Sequence, residues 1–191
     1  MSSSTRRMGS IDSEMAESML DATEEILKEE GYAALTSRRI ADYLGVKQRL
    51  LYYYFRTMDD LVLESFKRLS VRELARLKDA ISSDQPLPEI WKICTNTSDA
   101  RLVSEFMAIA NRNEGVREAV IEYIEESRKL QVKALKKAMA KSDVFDQNLP
   151  AEVLAFIGTS MALALNREAS LGVKLGHAAI RKTLENFWEK L

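Results

Sequence analysis

The 191-residue chain can form one large domain or a small domain joined to a larger one, and its hydrophobic residues, 46% of the total, can fill a core. A formal net charge of -1 excludes a generally basic protein, so binding to nucleic acid requires a local cluster of cations. One cysteine and one histidine exclude an intramolecular disulfide and the usual zinc sites. Seven glycines, three prolines and no regularly spaced short strands predict an all-α fold.

The first residues, 1–12, are polar and basic, with no apolar run behind them. Such a segment is typical of a disordered arm rather than of a signal peptide or a membrane anchor. Its Arg6 and Arg7 are candidate DNA contacts, with a solvated tail as the simpler interpretation. The longest apolar stretch, residues 154–165, is shorter than the ~20 residues that span a bilayer. We therefore expect a cytoplasmic protein.

Three short helices are predicted in the first third of the chain. Apolar residues recur at helical spacing over residues 13–30, and Gly31 ends this helix. Thr36 can cap a second helix, and Gly45 permits a tight turn before a third helix over residues 47–55. This pattern is typical of a helix-turn-helix, whose second helix enters the major groove of DNA. A generic three-helix bundle is the alternative.

The charge of this region differs from that of the whole chain. Residues 36–56 contain one acid, Asp42, and five basic residues: Arg38, Arg39, Lys47, Arg49 and Arg56. This local excess of positive charge can neutralise DNA phosphates.

Longer helices are predicted downstream. Thr57 and Asp60 can form a capping box that opens a helix continuing to about Ser82. After a break at residues 82–88, we expect helices over residues 89–94, 99–112, 115–141 and 151–171, and a last helix with an apolar stripe from Ile180 to Leu191. The histidine near the start of that last helix, His177, is expected at the surface.

Residues 35–61, LTSRRIADYLGVKQRLLYYYFRTMDDL, resemble the tetracycline-repressor (TetR) family. The resemblance rests on residues at the family's spacing: Thr36, Ile40, Ala41, Leu44, Gly45, Val46, Leu51, Tyr52, Tyr53, Phe55, Thr57 and Leu61. It is specific for about the first third of the chain, and beyond that only the length and the helical plan fit. It implies a DNA-binding domain at residues 13–56 and a C-terminal helical domain at residues 57–191 that binds an effector and dimerises.

Candidate DNA contacts follow from side-chain chemistry and from the resemblance: Thr36, Arg38, Lys47, Gln48, Arg49, Leu50, Tyr52, Tyr53, Tyr54 and Arg56. Glutamine can read adenine, arginine can read guanine, and an exposed leucine can pack on a thymine methyl. For Thr36 a capping role alone is the alternative, and for Leu50 a contact with the first helix.

By resemblance, the hydroxyl groups of Tyr52 and Tyr53 contact phosphates, and three successive helical tyrosines cannot all be buried because they point about 100° apart. The family usually has a lysine where this chain has Met58, so one phosphate contact is expected to be missing. Arg56 or the amide groups at the helix N-terminus can replace it.

The resemblance also implies a mainly apolar effector pocket and a dimer interface in the C-terminal domain. Pocket candidates, for which ordinary core packing is the alternative, are Trp91, Phe106, Met107, Tyr123, Phe156, Ser160 and Asn166. Dimer candidates, with the same alternative, are Ile180, Leu184, Phe187 and Trp188. Two-fold symmetry would place the recognition helices about one DNA turn apart, which predicts a palindromic operator.

The sequence therefore predicts a homodimeric repressor that an apolar effector releases from double-stranded DNA, with the helix that begins at Thr57 as the lever between the two domains. No cofactor or metal is expected. One alternative is a helical DNA-binding protein whose C-terminal domain recruits a protein partner. Another is an enzyme or adaptor without DNA binding, against which the lack of a catalytic pair or metal ligands counts.

Overall fold

The computed structural model describes Ser10, residues 13–140 and residues 149–189, with only the backbone given at residues 97–99 and 189. Within these ranges the chain forms α-helices, one 3-10 helix and connections, which confirms the all-α prediction. Apart from Ser10, the predicted N-terminal arm lies outside the described residues, and so does the connection at residues 141–148.

The helices of the described chain begin and end within a few residues of the predicted positions, with one exception. Their bounds are α1 Glu14–Glu29, α2 Ser37–Leu44, α3 Gln48–Tyr54, α4 Met58–Ile81, α5 Pro86–Cys94, α6 Thr97–Ala110, α7 Glu114–Met139, α8 Ala151–Ser170 and α9 His177–Glu189. The exception is α5, which begins at Pro86 and not at Glu89, because proline suits the first helical position. The 3-10 helix Tyr32–Ala34 was not predicted.

Local capping explains most of these bounds. The Thr36 hydroxyl accepts a hydrogen bond from the Arg39 amide at 3.0 Å and so begins α2. Gly45 ends that helix in the left-handed conformation, with φ of 67°. At the start of α4, the Thr57 hydroxyl accepts from the Asp60 amide at 3.0 Å and the Asp60 carboxylate accepts from the Thr57 amide at 3.2 Å. The predicted capping box is confirmed.

The chain divides into two compact units. The first comprises the described residues up to Leu69 together with Glu105–Ala119, and the second comprises Ser70–Ser104 and the described residues from Val120 onward. The first unit has an aromatic centre, where the rings of Phe66 and Phe106 meet edge to face at 5.1 Å. Helices α4, α6 and α7 each contribute residues to both units. The domain boundary predicted between residues 56 and 57 stays a prediction.

In the second unit, His177 departs from the prediction that it lies at the surface. His177, at the start of α9, is buried, with a relative exposure of 9%. Its Nε2 atom lies 2.9 Å from a carboxylate oxygen of Glu168 on α8. The sequence indicated only that His177 stands near a helix end, and the contact with Glu168 across the α8–α9 connection accounts for its burial.

A charged cluster ties α4 to α1 within the first unit. Arg68 donates from Nη2 to Glu24 at 2.8 Å and from Nη1 to Glu17 at 2.9 Å, and Asp21 lies 2.8 Å from Nη2. Burial of Arg68 disfavours its charge, but the hydrogen bonds with Glu24 and Glu17 outweigh this, so the pKa of Arg68 is raised. Glu24 is itself buried, with a relative exposure of 6%. Arg68 therefore compensates part of the negative charge of this buried carboxylate.

Replacing Arg68 with methionine leaves the buried Glu24 carboxylate without this partner. We expect Arg68→Met to lower the free energy of unfolding by about 2 kcal/mol, below the loss for a fully buried pair because part of the cluster meets solvent. Urea denaturation followed by circular dichroism measures the change. The control is Lys129→Met, which breaks only the exposed pair with Glu126 on α7 and should leave the midpoint unchanged. Equal midpoints for Arg68→Met and the unaltered protein would contradict the assignment.

Candidate nucleic-acid interface and internal cavity

Two buried side chains anchor helix α3: Leu51 within the helix and Phe55 directly after it. Leu51 and Phe55 are four residues apart and are buried, with exposures of 1% and 2%. Since neighbouring positions on a helix differ by about 100°, their burial leaves Tyr52 and Tyr53 exposed. Tyr54 is half-buried and its ring meets that of Tyr53 edge to face at 5.1 Å. The prediction that at least one of the three tyrosines faces outward is confirmed.

The outer side of α3 and the turn before it form a shallow concave surface, which we call the α3 face. Its lining residues combine cations, hydroxyl groups and aliphatic side chains: Val46, Lys47, Arg49, Leu50, Tyr52 and Tyr53. Five of the ten predicted DNA contacts therefore lie side by side. The surface can offer charge to phosphates, hydrogen-bond donors to base edges and an apolar contact to a methyl group.

The cations near this face differ in how far they are already engaged. Arg39 donates to the Glu30 carboxylate at 2.6 Å, and this hydrogen bond lowers the pKa of Glu30. Arg38 and Arg56 lie at the outer limit of ion pairing with acids four residues on, at 3.8 and 3.9 Å. Lys47 and Arg49 are exposed and have no ion pair with any described residue. Those two cations are available to a ligand.

A buried serine, which the sequence analysis did not single out, links α2 to α3. Ser37 has an exposure of 8%. Its hydroxyl oxygen accepts a hydrogen bond from the Gln48 side-chain amide at 2.6 Å and another from the Tyr52 hydroxyl at 3.1 Å. Both donors belong to the predicted DNA contacts, so Ser37 sets their orientation. Sequence spacing alone could not identify it, because the contact joins two helices across a turn.

The second unit contains a small internal cavity of about 30 Å³. Its walls are mostly apolar and come from α5, α7, α8 and α9: Leu87, Ile90, Trp91, Cys94, Gln131, Leu135, Leu154, Ala155, Gly158, Thr159 and Trp188. The rings of Trp91 and Trp188 lie 6.3 Å apart between their centroids. A side chain at Gly158 would come within 3.3 Å of the Trp188 ring, so glycine permits this packing. The space suits about one water molecule.

Polar groups in the cavity wall are few. The Thr159 hydroxyl lies 2.9 Å from the side-chain oxygen of Gln131 and 2.8 Å from the carbonyl oxygen of Ala155. Burial raises the pKa of the Cys94 thiol to about 11, with a smaller contribution from the negative charge of Glu73. Cys94 therefore stays a neutral thiol at neutral pH and adds no charge to the cavity.

The predicted pocket residues are dispersed in the structure. Trp91 lines the cavity, whereas Phe106 lies in the core of the first unit. Asn166 is buried and donates to the Cys94 carbonyl at 2.9 Å, so it packs α8 against α5. Phe156 and Ser160 are exposed on α8. The two remaining candidates, which are half-buried and do not line the cavity, are Met107 and Tyr123.

Helix α8 has two apolar sides. One side is buried in the second unit and includes Leu154, Gly158, Ala162 and Leu165. The opposite side, which we call the outer face of α8, carries exposed apolar residues at helical spacing: Val153, Phe156, Ile157 and Leu163. Phe156 is 59% exposed, with the guanidinium of Arg128 5.2 Å from its ring centroid.

The predicted dimer residues of α9 divide between surface and interior. Ile180 is exposed, and Leu184 and Phe187 are half-buried. Trp188 is buried, with an exposure of 7%, and lines the cavity. The apolar stripe of α9 thus packs partly against its own unit.

A comparison with known families decides what the helix-turn-helix is. Residues 19–65, which include α2, α3 and the start of α4, match the family model described as bacterial regulatory proteins, tetR family. This segment of the chain is therefore a DNA-binding domain of the TetR type. Among curated protein sequences, none is similar enough to the chain to count as a match.

Solved structures share the TetR fold over most of the chain. A candidate transcriptional regulator from Saccharomonospora viridis, in complex with choline, has a TM-score of 0.80 at 16% identity and covers 91% of this chain and 95% of its own. A TetR transcription regulator from Haloarcula marismortui has a TM-score of 0.74 at 20% identity, covering 91% and 95%. FadR from Bacillus subtilis, in complex with stearoyl-CoA, has a TM-score of 0.71 at 16% identity, covering 91% and 97%.

The structure also places the remaining predicted contacts of the TetR helix-turn-helix. The hydroxyl of Thr36 caps α2 at an exposed position. Arg56 is exposed just before α4, and Met58, which stands where the family usually has lysine, is the half-buried first residue of that helix. No helix among the described residues is long and apolar enough to cross a membrane.

Removing the Ser37 hydroxyl should weaken DNA binding, because Gln48 and Tyr52 lose the acceptor that orients them. We expect Ser37→Ala to reduce affinity for duplex DNA about tenfold, the scale of one hydrogen-bonding group at an interface. Fluorescence anisotropy with labelled DNA measures this change. Ser18→Ala is the matched control, because the Ser18 hydroxyl bonds only within its own helix, to the Glu14 carbonyl. Equal losses in both variants would show that Ser37 has no specific role.

Proposed function

We propose that this TetR-family chain is a cytoplasmic, homodimeric repressor that binds a palindromic operator and is released from it by a mainly apolar small molecule. The observation that carries the proposal is the α3 face, where exposed Lys47 and Arg49 stand beside Tyr52 and Tyr53. Two cations without acidic partners among the described residues, next to two exposed hydroxyl groups, suit a polyanion. The chain as a whole is close to neutral, so this local arrangement has to provide the attraction.

The α3 face supports reading of DNA sequence as well as general attraction. Arg49 can donate two hydrogen bonds to guanine, and the half-buried Leu50 beside it can contact a thymine methyl. The Tyr53 hydroxyl and Lys47 can donate to phosphates, while the Tyr52 hydroxyl donates to Ser37 and so fixes its ring beside them. Thr36 and Arg56 would extend this grip. The missing lysine at Met58 would make the phosphate contacts fewer than is usual in the family.

The outer face of α8 supports the dimer. Phe156, Ile157 and Leu163 form an exposed apolar surface on one side of a long helix, and Ile180 of α9 is exposed as well. Surfaces of this kind are typical of sites where a second chain binds. A second copy would bury both helices in a four-helix arrangement with two-fold symmetry. Two α3 helices related by that symmetry would read a palindrome.

The cavity of the second unit supports control by an effector. The related folds of the choline-bound regulator and of FadR carry chemically different ligands, so the fold by itself leaves the ligand open. The cavity walls here are mostly apolar, which favours an apolar molecule. At about 30 Å³ the cavity is too small for such a molecule, so an effector must stabilise a conformation with the side chains apart. A coupling of ~1–3 kcal/mol between the two ligands would be ordinary.

Selection of bound sequences from random duplex DNA tests the proposal. We expect enrichment of a palindrome, and about 100-fold weaker binding to it after Arg49→Ala combined with Tyr52→Phe, since one base contact is lost and so is the hydrogen bond that orients Tyr52 against Ser37. The matched control combines Arg112→Ala with Tyr32→Phe, which removes an exposed arginine and an exposed tyrosine hydroxyl of the same unit. Failure to enrich any palindrome at low salt would refute the DNA-binding proposal.

A charge placed on the outer face of α8 should separate the dimer. We expect Phe156→Asp to convert the protein to monomers in sedimentation equilibrium and to weaken operator binding, because each half-site is then held by a separate molecule. Val71→Asp is the control, since Val71 is a similarly exposed apolar residue, at 68%, on another helix of the second unit. A Phe156→Asp protein that stays dimeric would show that the interface lies elsewhere.

A further inference from the structure

We propose that the molecule that enters the cavity of the second unit is uncharged and carries a hydrogen-bond-accepting oxygen on an apolar body, as in a small ketone or ester. This inference rests on the proposed function, which makes that cavity the effector site. It narrows the ligand from an apolar molecule in general to one chemical class.

Two unpartnered donors in the cavity wall carry the inference. The indole N–H groups of Trp91 and Trp188 are buried and have no hydrogen-bond partner among the described residues. The two side chains are more than nine-tenths buried, at 4% and 7% exposure. An indole nitrogen can only donate, and buried donors in folded proteins are nearly always paired. A ligand oxygen that accepts from one or both would satisfy them.

The other polar groups of the cavity are already engaged with one another. The Gln131 carbonyl oxygen has the Thr159 hydroxyl at 2.9 Å, and the Gln131 amide donates to Ser127 at 3.2 Å. Among the described residues that line the cavity, Trp91 and Trp188 therefore hold the unpartnered donors, and an accepting group on a ligand that reaches them complements them.

The described residues of the cavity wall carry no charged side chain, and this favours neutral ligands over charged ones. None of the described residues that line the cavity is Asp, Glu, Lys or Arg, and burial keeps the Cys94 thiol protonated. A carboxylate would lose its hydration without gaining a cation, and an ammonium group would gain no anion, only contact with the faces of two indole rings. A neutral carbonyl group loses far less hydration on entering the same space.

NMR can follow the two indole N–H groups separately, because the chain has few tryptophans. The protein has two, so the full-length chain labelled with ¹⁵N at the indole nitrogens gives one NMR signal for each donor, assigned with Trp91→Phe and Trp188→Phe. The probes share one carbon skeleton: cyclohexanone, cyclohexanecarboxylate and cyclohexylammonium. We expect cyclohexanone to move at least one indole proton signal downfield with saturation, and to bind about tenfold or more tightly than either charged probe.

A second measurement separates hydrogen bonding from apolar contact. Phenylalanine keeps an aromatic ring but removes the N–H group, so the variant whose indole signal moves should bind cyclohexanone about tenfold more weakly, while its affinity for methylcyclohexane should be unchanged. The remaining indole signal reports that each variant is folded. Equal binding of the charged probes, or no indole shift with cyclohexanone, overturns the inference.

Operator binding by the same protein tests the proposed function independently of the NMR measurement. If cyclohexanone moves the indole signals but leaves the operator bound, the chemistry assigned to the cavity stands and its role in release from DNA fails. If the operator is bound and only an apolar molecule without an accepting oxygen, such as methylcyclohexane, releases it, the proposed function stands and this inference fails.

Discussion

The α3 face depends on the burial of two side chains. Helix α3 has seven residues, too few to be stable in water without tertiary contacts. Leu51 and Phe55 bury one side of it, and the left-handed turn at Gly45 sets its direction from α2. Because a helix is rigid about its own axis, anchoring one side also determines where the opposite residues point. Ser37 adds a second constraint, since it orients Gln48 and Tyr52, which packing alone would leave free to change rotamer.

A comparable constraint governs the second unit, where α8 is apolar on two sides. Its inner side meets Trp188 of α9 at Gly158, and its outer face presents Phe156 and Ile157. A ligand that separates the two tryptophan rings must move Trp91 of α5, Trp188 of α9 or both. A movement of α9 would also move Ile180, which is exposed on that helix. Ligand binding and dimer geometry can therefore be linked within this unit.

The sequence predicted the residues of the α3 face more completely than those of the cavity, and the reason is physical. Lys47, Arg49 and Tyr52 belong to one short helix, so periodicity and the position of Leu51 are enough to place them outside. The cavity is formed by residues from four helices, and no local pattern states which helices meet. The structure accordingly puts Trp188, expected at the dimer surface, beside the cavity, and puts Phe156, expected in the pocket, on the exposed side of α8.

What the sequence by itself determined is the local part of this protein: the helices, the caps at Thr36 and Thr57, the turn at Gly45 and the family of the helix-turn-helix. These features depend on contacts within about four residues, which a linear pattern records. Tertiary structure alone decided that Ser37 is shared by two donors and that two buried indole N–H groups have no partner within the described parts of the chain. Both features arise from packing between different helices, where the shape and the hydrogen-bonding groups of one side chain must match those of another.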